Sequence, residues 1–170
     1  MENNFALLTS VIFYNFPFIM TGLAVMLGII TTTWYKRDRA CSDIFLSRLM
    51  FFAVGLAGLW GFVVHVFFPM ESTKFIGWAA SPFEFEVGVA NLGMGIAGIF
   101  GVCASRGYWI ATTLFTTGFL WGAAFGHVYQ MMATHNFAPG NAGTIFYNDI
   151  IMPLFLIIFL CCKNCCKKSC

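Results

Sequence analysis

Residues 46–68 read LSRLMFFAVGLAGLWGFVVHVFF, a run in which Ser47, Arg48 and His65 are the only hydroxyl, charged or imidazole side chains. A helix lying on a soluble core keeps one polar face. This stretch keeps none, and its length meets the about 20 apolar residues that a helix needs to cross a bilayer. Comparable runs occupy 11–34, 82–104, 108–131 and 143–161. Over the 170 residues, 59% are hydrophobic and 9% charged, where soluble domains carry about a quarter of charged residues. A soluble globule is excluded, and five crossings leave no room for a second domain. The expected fold is an all-α integral membrane protein: a five-span helix bundle over 1–162 followed by a Cys/Lys-rich tail at 163–170.

Basic residues beside the spans set the orientation, because they are retained on the cytoplasmic side. Lys36, Arg37, Arg39 and Arg48 flank the first connection, Arg106 the third, and Lys163, Lys167 and Lys168 follow the last span. Only Lys74 falls on the other side, so the N-terminus is expected outside and the C-terminus in the cytoplasm, with the plasma or inner membrane as host. The first ten residues contain Glu2 and no basic residue, unlike the positive start of a cleaved signal, so the first span is expected to remain. The net charge of +2 is this topological signal rather than a nucleic-acid footprint.

Lipid tails are as apolar as leucine, so helices associate in a bilayer through close contact at small residues. Gly118, Gly122 and Gly126 form one such ridge; Ala90, Gly93, Ala97 and Gly101 a second; Ala53, Ala57 and Gly61 a third. These faces are expected to join the spans, and to dock a second copy or other membrane subunits. Extended by a turn, the second and third stripes reach Glu86 and His65, while His127 and Asp149 fall at a matching depth. At about 1.5 Å per residue, all four lie in one layer some 5–9 Å below the outer boundary, with Tyr14, Asn15 and Gln130 near it. Ionisable groups inside a membrane are costly and commonly pair or line a functional cavity.

Each residue also has a plainer reading. Ser81, Pro82 and Glu84 spell a helix start, so Glu84 reads as the reciprocal partner in a capping box. Glu86, one turn deeper, has no such duty. Either histidine alone reads equally well as an interfacial ring bonded to the backbone; the joint placement with Glu86 favours a site. Neutral imidazole with carboxylate suits Zn, Fe, Mn or Cu. The expected metal ligands are therefore Glu86, His65, His127 and Asp149, with Asn91, Gln130 and Asn15 orienting them. Pro153 frees the carbonyl of Asp149, and Pro17 that of Phe13. The turn-rich segment 134–143 can fold back as a lid, and its His135 reads as solvated.

All seven cysteines fall on the reducing side, so disulfides are not expected. Cys161, Cys162, Cys165 and Cys166 beside lysines suit reversible S-acylation with palmitate; Cys162 and Cys165 have the spacing of a thiol metal site.

The stretch IGWAASPFEFEVGVANLGMGIAGI, then GHVYQM, NFAPGNAG and YNDIIMP, resembles a family of small, functionally uncharacterised bacterial integral membrane proteins. The likeness covers 77–153 and rests on Ser81, Pro82, Phe83, Glu86, Gly88, Asn91, Gly126, His127, Pro139, Gly140, Asn141 and Asp149. It implies a multi-span membrane protein and supplies no reaction. Three functions compete: a buried His/carboxylate site near the outer face holding a transition metal, a structural or accessory subunit of a larger membrane assembly, and a proton- or ion-coupled carrier.

Overall fold

The computed structural model describes residues 2–34 and 40–162, with the side chains of 2–9 left aside. Lys36, Arg37, Arg39, the basic end of the tail, Cys165, Cys166 and Cys170 lie outside the described residues. Among the described residues the chain is helical with no strand: α1 (Glu2–Trp34), α2 (Cys41–Arg48), a π-helical segment (Leu49–Leu56), α3 (Ala57–Phe67), α4 (Pro69–Ile76), α5 (Phe83–Phe100), a 3₁₀ turn (Gly101–Cys103), α6 (Arg106–Thr134), α7 (Pro139–Ala142) and α8 (Thr144–Cys161). Four stretches are long and apolar enough to cross a membrane: Ser10–Trp34, Cys41–Phe67, Phe83–Cys103 and Pro139–Cys161. The 29-residue α6 is long enough as well, but four threonines between 112 and 117 and its glycines dilute its apolar character.

Local chemistry explains the boundaries. Ser105 precedes α6 and its side chain accepts the Tyr108 backbone N–H, relieving one of the orphan donors of a helix start. Pro69 opens α4, where a missing N–H costs nothing. Gly77 closes α4 at φ 75, a left-handed conformation that glycine adopts without strain. Two short helices that the sequence reading treats as loops, α4 and α7, thus cap one end of the bundle. That end is called upper below, and the end holding Cys41, Cys103, Arg106 and Cys161 lower.

The lower half is close-packed. Leu46, Leu49, Met50, Val54, Met152 and Leu156 are essentially inaccessible, and Trp109 donates its indole N–H to the Gly101 carbonyl at 2.6 Å. Arg106 caps this end by donating to the Leu160 carbonyl.

The helix formed by the π-helical segment and α3 meets α5 backbone to backbone. A Cβ on Gly58 would sit 2.7 Å from the Gly95 nitrogen, and one on Gly95 equally close to the Leu59 nitrogen. Gly98 faces Gly55 in the same way. The packing stripe of α5 is therefore Gly88, Asn91, Gly95 and Gly98. Of the glycines in the expected stripe, Gly93 faces nothing among the described residues, whereas Gly101 packs against Met50. The expected ridge on α6 also fails as a contact: Gly118 and Gly122 have no neighbour, and only Gly126 receives a side chain, Trp78. Instead α6 lies on α8 and scarcely touches α5, because its buried face runs through Thr116, Leu120, Ala124 and His127.

Candidate functional site

Above the close-packed half the helices part around one cavity of 480 Å³, walled by α1, α3, α4, α5, α6 and α8. Its floor is Ala53, Ala57, Met94, Leu120 and Met152, and aromatic rings of Phe13, Tyr14, Trp60, Phe75 and Phe119 form much of the wall. Polar groups gather at the upper rim: His65, Ser72, Glu84, His127, Asn148 and Asp149. No Lys or Arg is among the lining residues.

Two imidazole–carboxylate pairs stand on this rim. On α3, His65 places Nδ1 2.7 Å from Glu84 Oε2 of α5, and Ser72 Oγ of α4 lies 3.3 Å from the same nitrogen. Glu84 reaches His65 because it sits on the packing stripe, one turn before Gly88. On α6, His127 Nε2 lies 3.7 Å from Asp149 Oδ2 of α8. The two are 4% and 6% exposed respectively.

The second pair is held from behind by α7. Asn141, with no accessible surface, accepts the Trp78 indole N–H at Oδ1, 2.7 Å away. The same oxygen lies 2.8 Å from His127 Nδ1. Its Nδ2 donates to the carbonyls of His127 at 3.2 Å and Asn136 at 2.8 Å. Asn136 donates in turn to the Ile76 carbonyl at 2.9 Å, which ties 134–143 to the end of α4. This segment is thus held at the upper end of the bundle by side-chain amides, and none of its residues lines the cavity. His135 within it is exposed.

Two further contacts join α1 to the site. Thr21 Oγ1 donates to Asn148 Oδ1 at 2.8 Å, and Trp60 Nε1 donates to the Phe13 carbonyl at 3.2 Å. Pro17 leaves that carbonyl without its helical partner, so the indole supplies what the proline removes.

The expected four-ligand centre is not assembled. Glu86 is exposed and does not line the cavity, because it lies on the α5 face opposite Gly88 and Asn91, where Gly93 is also open. Glu84, read from sequence as a capping residue, is the carboxylate that turns inward. The cap is made by Ser81, whose Oγ accepts the Phe83 N–H at 3.3 Å. His65, His127 and Asp149 share the cavity but stand as members of two separate pairs. Among the described residues, no three His, Cys, Asp or Glu side chains gather as a metal would need. Of the residues expected to orient the centre, Asn91 lines the cavity with its Nδ2 bonded to the Val87 carbonyl at 2.9 Å. Gln130 does not line it and accepts from Thr134 at 3.0 Å. Asn15 borders a smaller upper pocket of 290 Å³ and accepts from Thr144 at 2.5 Å. Cys161 is exposed and Cys162 half-buried.

The residues that sequence reasoning missed are Glu84, Ser72, Trp78, Asn141 and Asn148. A signal existed for the first: Glu84, Gly88, Asn91, Gly95 and Gly98 recur at helical spacing. For Ser72 there was none, since α4 was not foreseen.

No curated protein matches the chain, and no solved structure does. Residues 14–169 match the model of a family of unknown function, DUF6790.

Proposed function

The chain belongs to this DUF6790 family, and since the family's function is unknown, we infer a role from the site itself: a multi-span membrane protein whose upper half binds a small, largely apolar molecule. One observation carries the reading. The cavity of 480 Å³ falls inside the about 300–1,000 Å³ typical of small-molecule sites, and like them it combines an apolar wall with a few convergent polar groups.

The bilayer arrangement follows the same inference. With α6 as the fifth crossing, about 44 Å long at 1.5 Å per residue, the bundle spans five times. Arg48 and Arg106 then flank its lower end and Lys74 alone its upper end. Basic residues are retained inside, so the cavity belongs to the extracytoplasmic half and the lower half seals it from the cytoplasm.

Fluorine NMR on the protein in lipid nanodiscs tests the reading with fluorobenzene as probe. Saturable binding beyond that of protein-free nanodiscs is expected, and Ala123→Phe, which fills the cavity from α6, should abolish it. Partitioning identical with and without protein would reject the site. A second reading, a transition metal held at His127 and Asp149, is favoured by their shared position on the cavity. Its own check is elemental analysis: about one equivalent of metal lost in His127→Ala supports it, and a metal content unaffected by that change rejects it.

A further inference from the structure

We propose that His127 and Asp149 bind the head group of the cavity's ligand, and that this head is a primary amine carried as its ammonium on an otherwise apolar body. The proposal rests on the cavity reading above and adds the chemical class of what enters.

The hydrogen-bond network fixes which atoms carry protons. Asn141 Nδ2 is committed to two carbonyls, those of His127 and Asn136, so its other terminus must be the oxygen. That oxygen takes the Trp78 indole N–H, a group that only donates. His127 Nδ1 faces the same oxygen at 2.8 Å and therefore carries the proton. In its neutral form the ring then presents a lone pair on Nε2.

This lone pair looks at Asp149 Oδ2 across 3.7 Å, too far for a hydrogen bond. Among the described residues no hydrogen bond reaches either Asp149 carboxylate oxygen, although the residue is only 6% exposed and lines the cavity. Two acceptors thus face one opening. A carboxylate so enclosed is strongly unfavourable without a partner, which favours a donor arriving from the cavity.

The charge balance of the cavity narrows that donor. Glu84 and Asp149 contribute two carboxyls, and no Lys or Arg lines the space. Glu84 is already matched by His65 at 2.7 Å, and Tyr14, the remaining titratable lining group, stacks on Phe75 at 4.0 Å. Asp149 faces only His127 Nε2, at 3.7 Å and beyond hydrogen-bond reach. A primary ammonium brings several N–H groups on one atom, enough for Nε2 and the carboxylate together, and it is stabilised beside aromatic faces such as Trp78. A hydroxyl brings one hydrogen and no charge.

The test extends the probe series to para-fluorobenzylamine and para-fluorobenzyl alcohol, measured by fluorine NMR on the protein in nanodiscs. The amine is expected to bind more tightly than the alcohol by at least about tenfold, the scale of a charge-assisted hydrogen bond. Asp149→Asn should remove that preference. The comparison of the two probes on the unaltered protein needs no variant to fold. Equal affinity for amine and alcohol would overturn the head-group assignment while leaving the cavity reading intact. Absence of saturable binding by any of the three probes would overturn both.

Discussion

Asn141 shows how much one side chain can hold together. Its amide joins α6, α7 and the segment after α4 through contacts to His127, Trp78 and Asn136, and no solvent reaches it. Its removal leaves two donors and the Asn136 carbonyl without partners, at about 1–3 kcal/mol for each group that water cannot serve. Asn141→Ala is therefore expected to destabilise the protein by about 3 kcal/mol or more in reversible unfolding from detergent. A loss below about 1 kcal/mol would mean that the segment 134–143 does not depend on this amide. Nothing in periodicity announces such a residue: within APGNAG it reads as turn punctuation, because its role is set by partners as far along the chain as Trp78. Glu84 and Glu86 teach the same lesson. Two positions apart, they point about 200° away from each other round the helix, and only the location of the neighbouring helix decides which one turns inward.

At the scale of elements, the existence of long helices was legible because uninterrupted apolar runs of bilayer length have few other uses. Their contacts were less legible, since α5 and α6 each carry more than one line of small residues. The structure separates the used from the unused. A Cβ at Gly98 would run into the backbone of Gly55 and the Met50 carbonyl, whereas one at Gly118 would meet open space. Gly98→Ala is expected to cost about 1–3 kcal/mol, because backbone cannot move aside as a flexible side chain can. Gly118→Ala should be neutral or stabilising by up to about 1 kcal/mol through helix propensity. Thermal unfolding of both variants in one detergent checks the pair; equal effects would contradict the assigned packing face. The short helices α4 and α7 escaped notice because they are too brief for a periodic signal, although Pro69 and Gly77 mark the start and stop of the first.

For the molecule as a whole, the proposed five-span topology is open to a direct measurement. Ala79 is exposed between α4 and α5, and Cys103 is exposed between α5 and α6. A membrane-impermeant maleimide added to intact cells should label Ala79→Cys and reach Cys103 only after permeabilisation. Labelling of both from outside would remove α5 as a crossing, and the reverse order would invert the bundle. The broad division into a sealed half and an open half was not legible, because side-chain volumes along the chain do not reveal where helices diverge. One backbone feature bears on that division. The π-helical segment at Leu49–Leu56 is a widened coil inside an otherwise continuous α-helix. Deleting one residue there to restore regular winding would swing everything that follows by about 100°, carrying His65 off Glu84 and Gly58 off Gly95. The angular phase of the cavity wall is thus dialled in from the sealed half, by a winding defect of which only Ala53 lines the cavity.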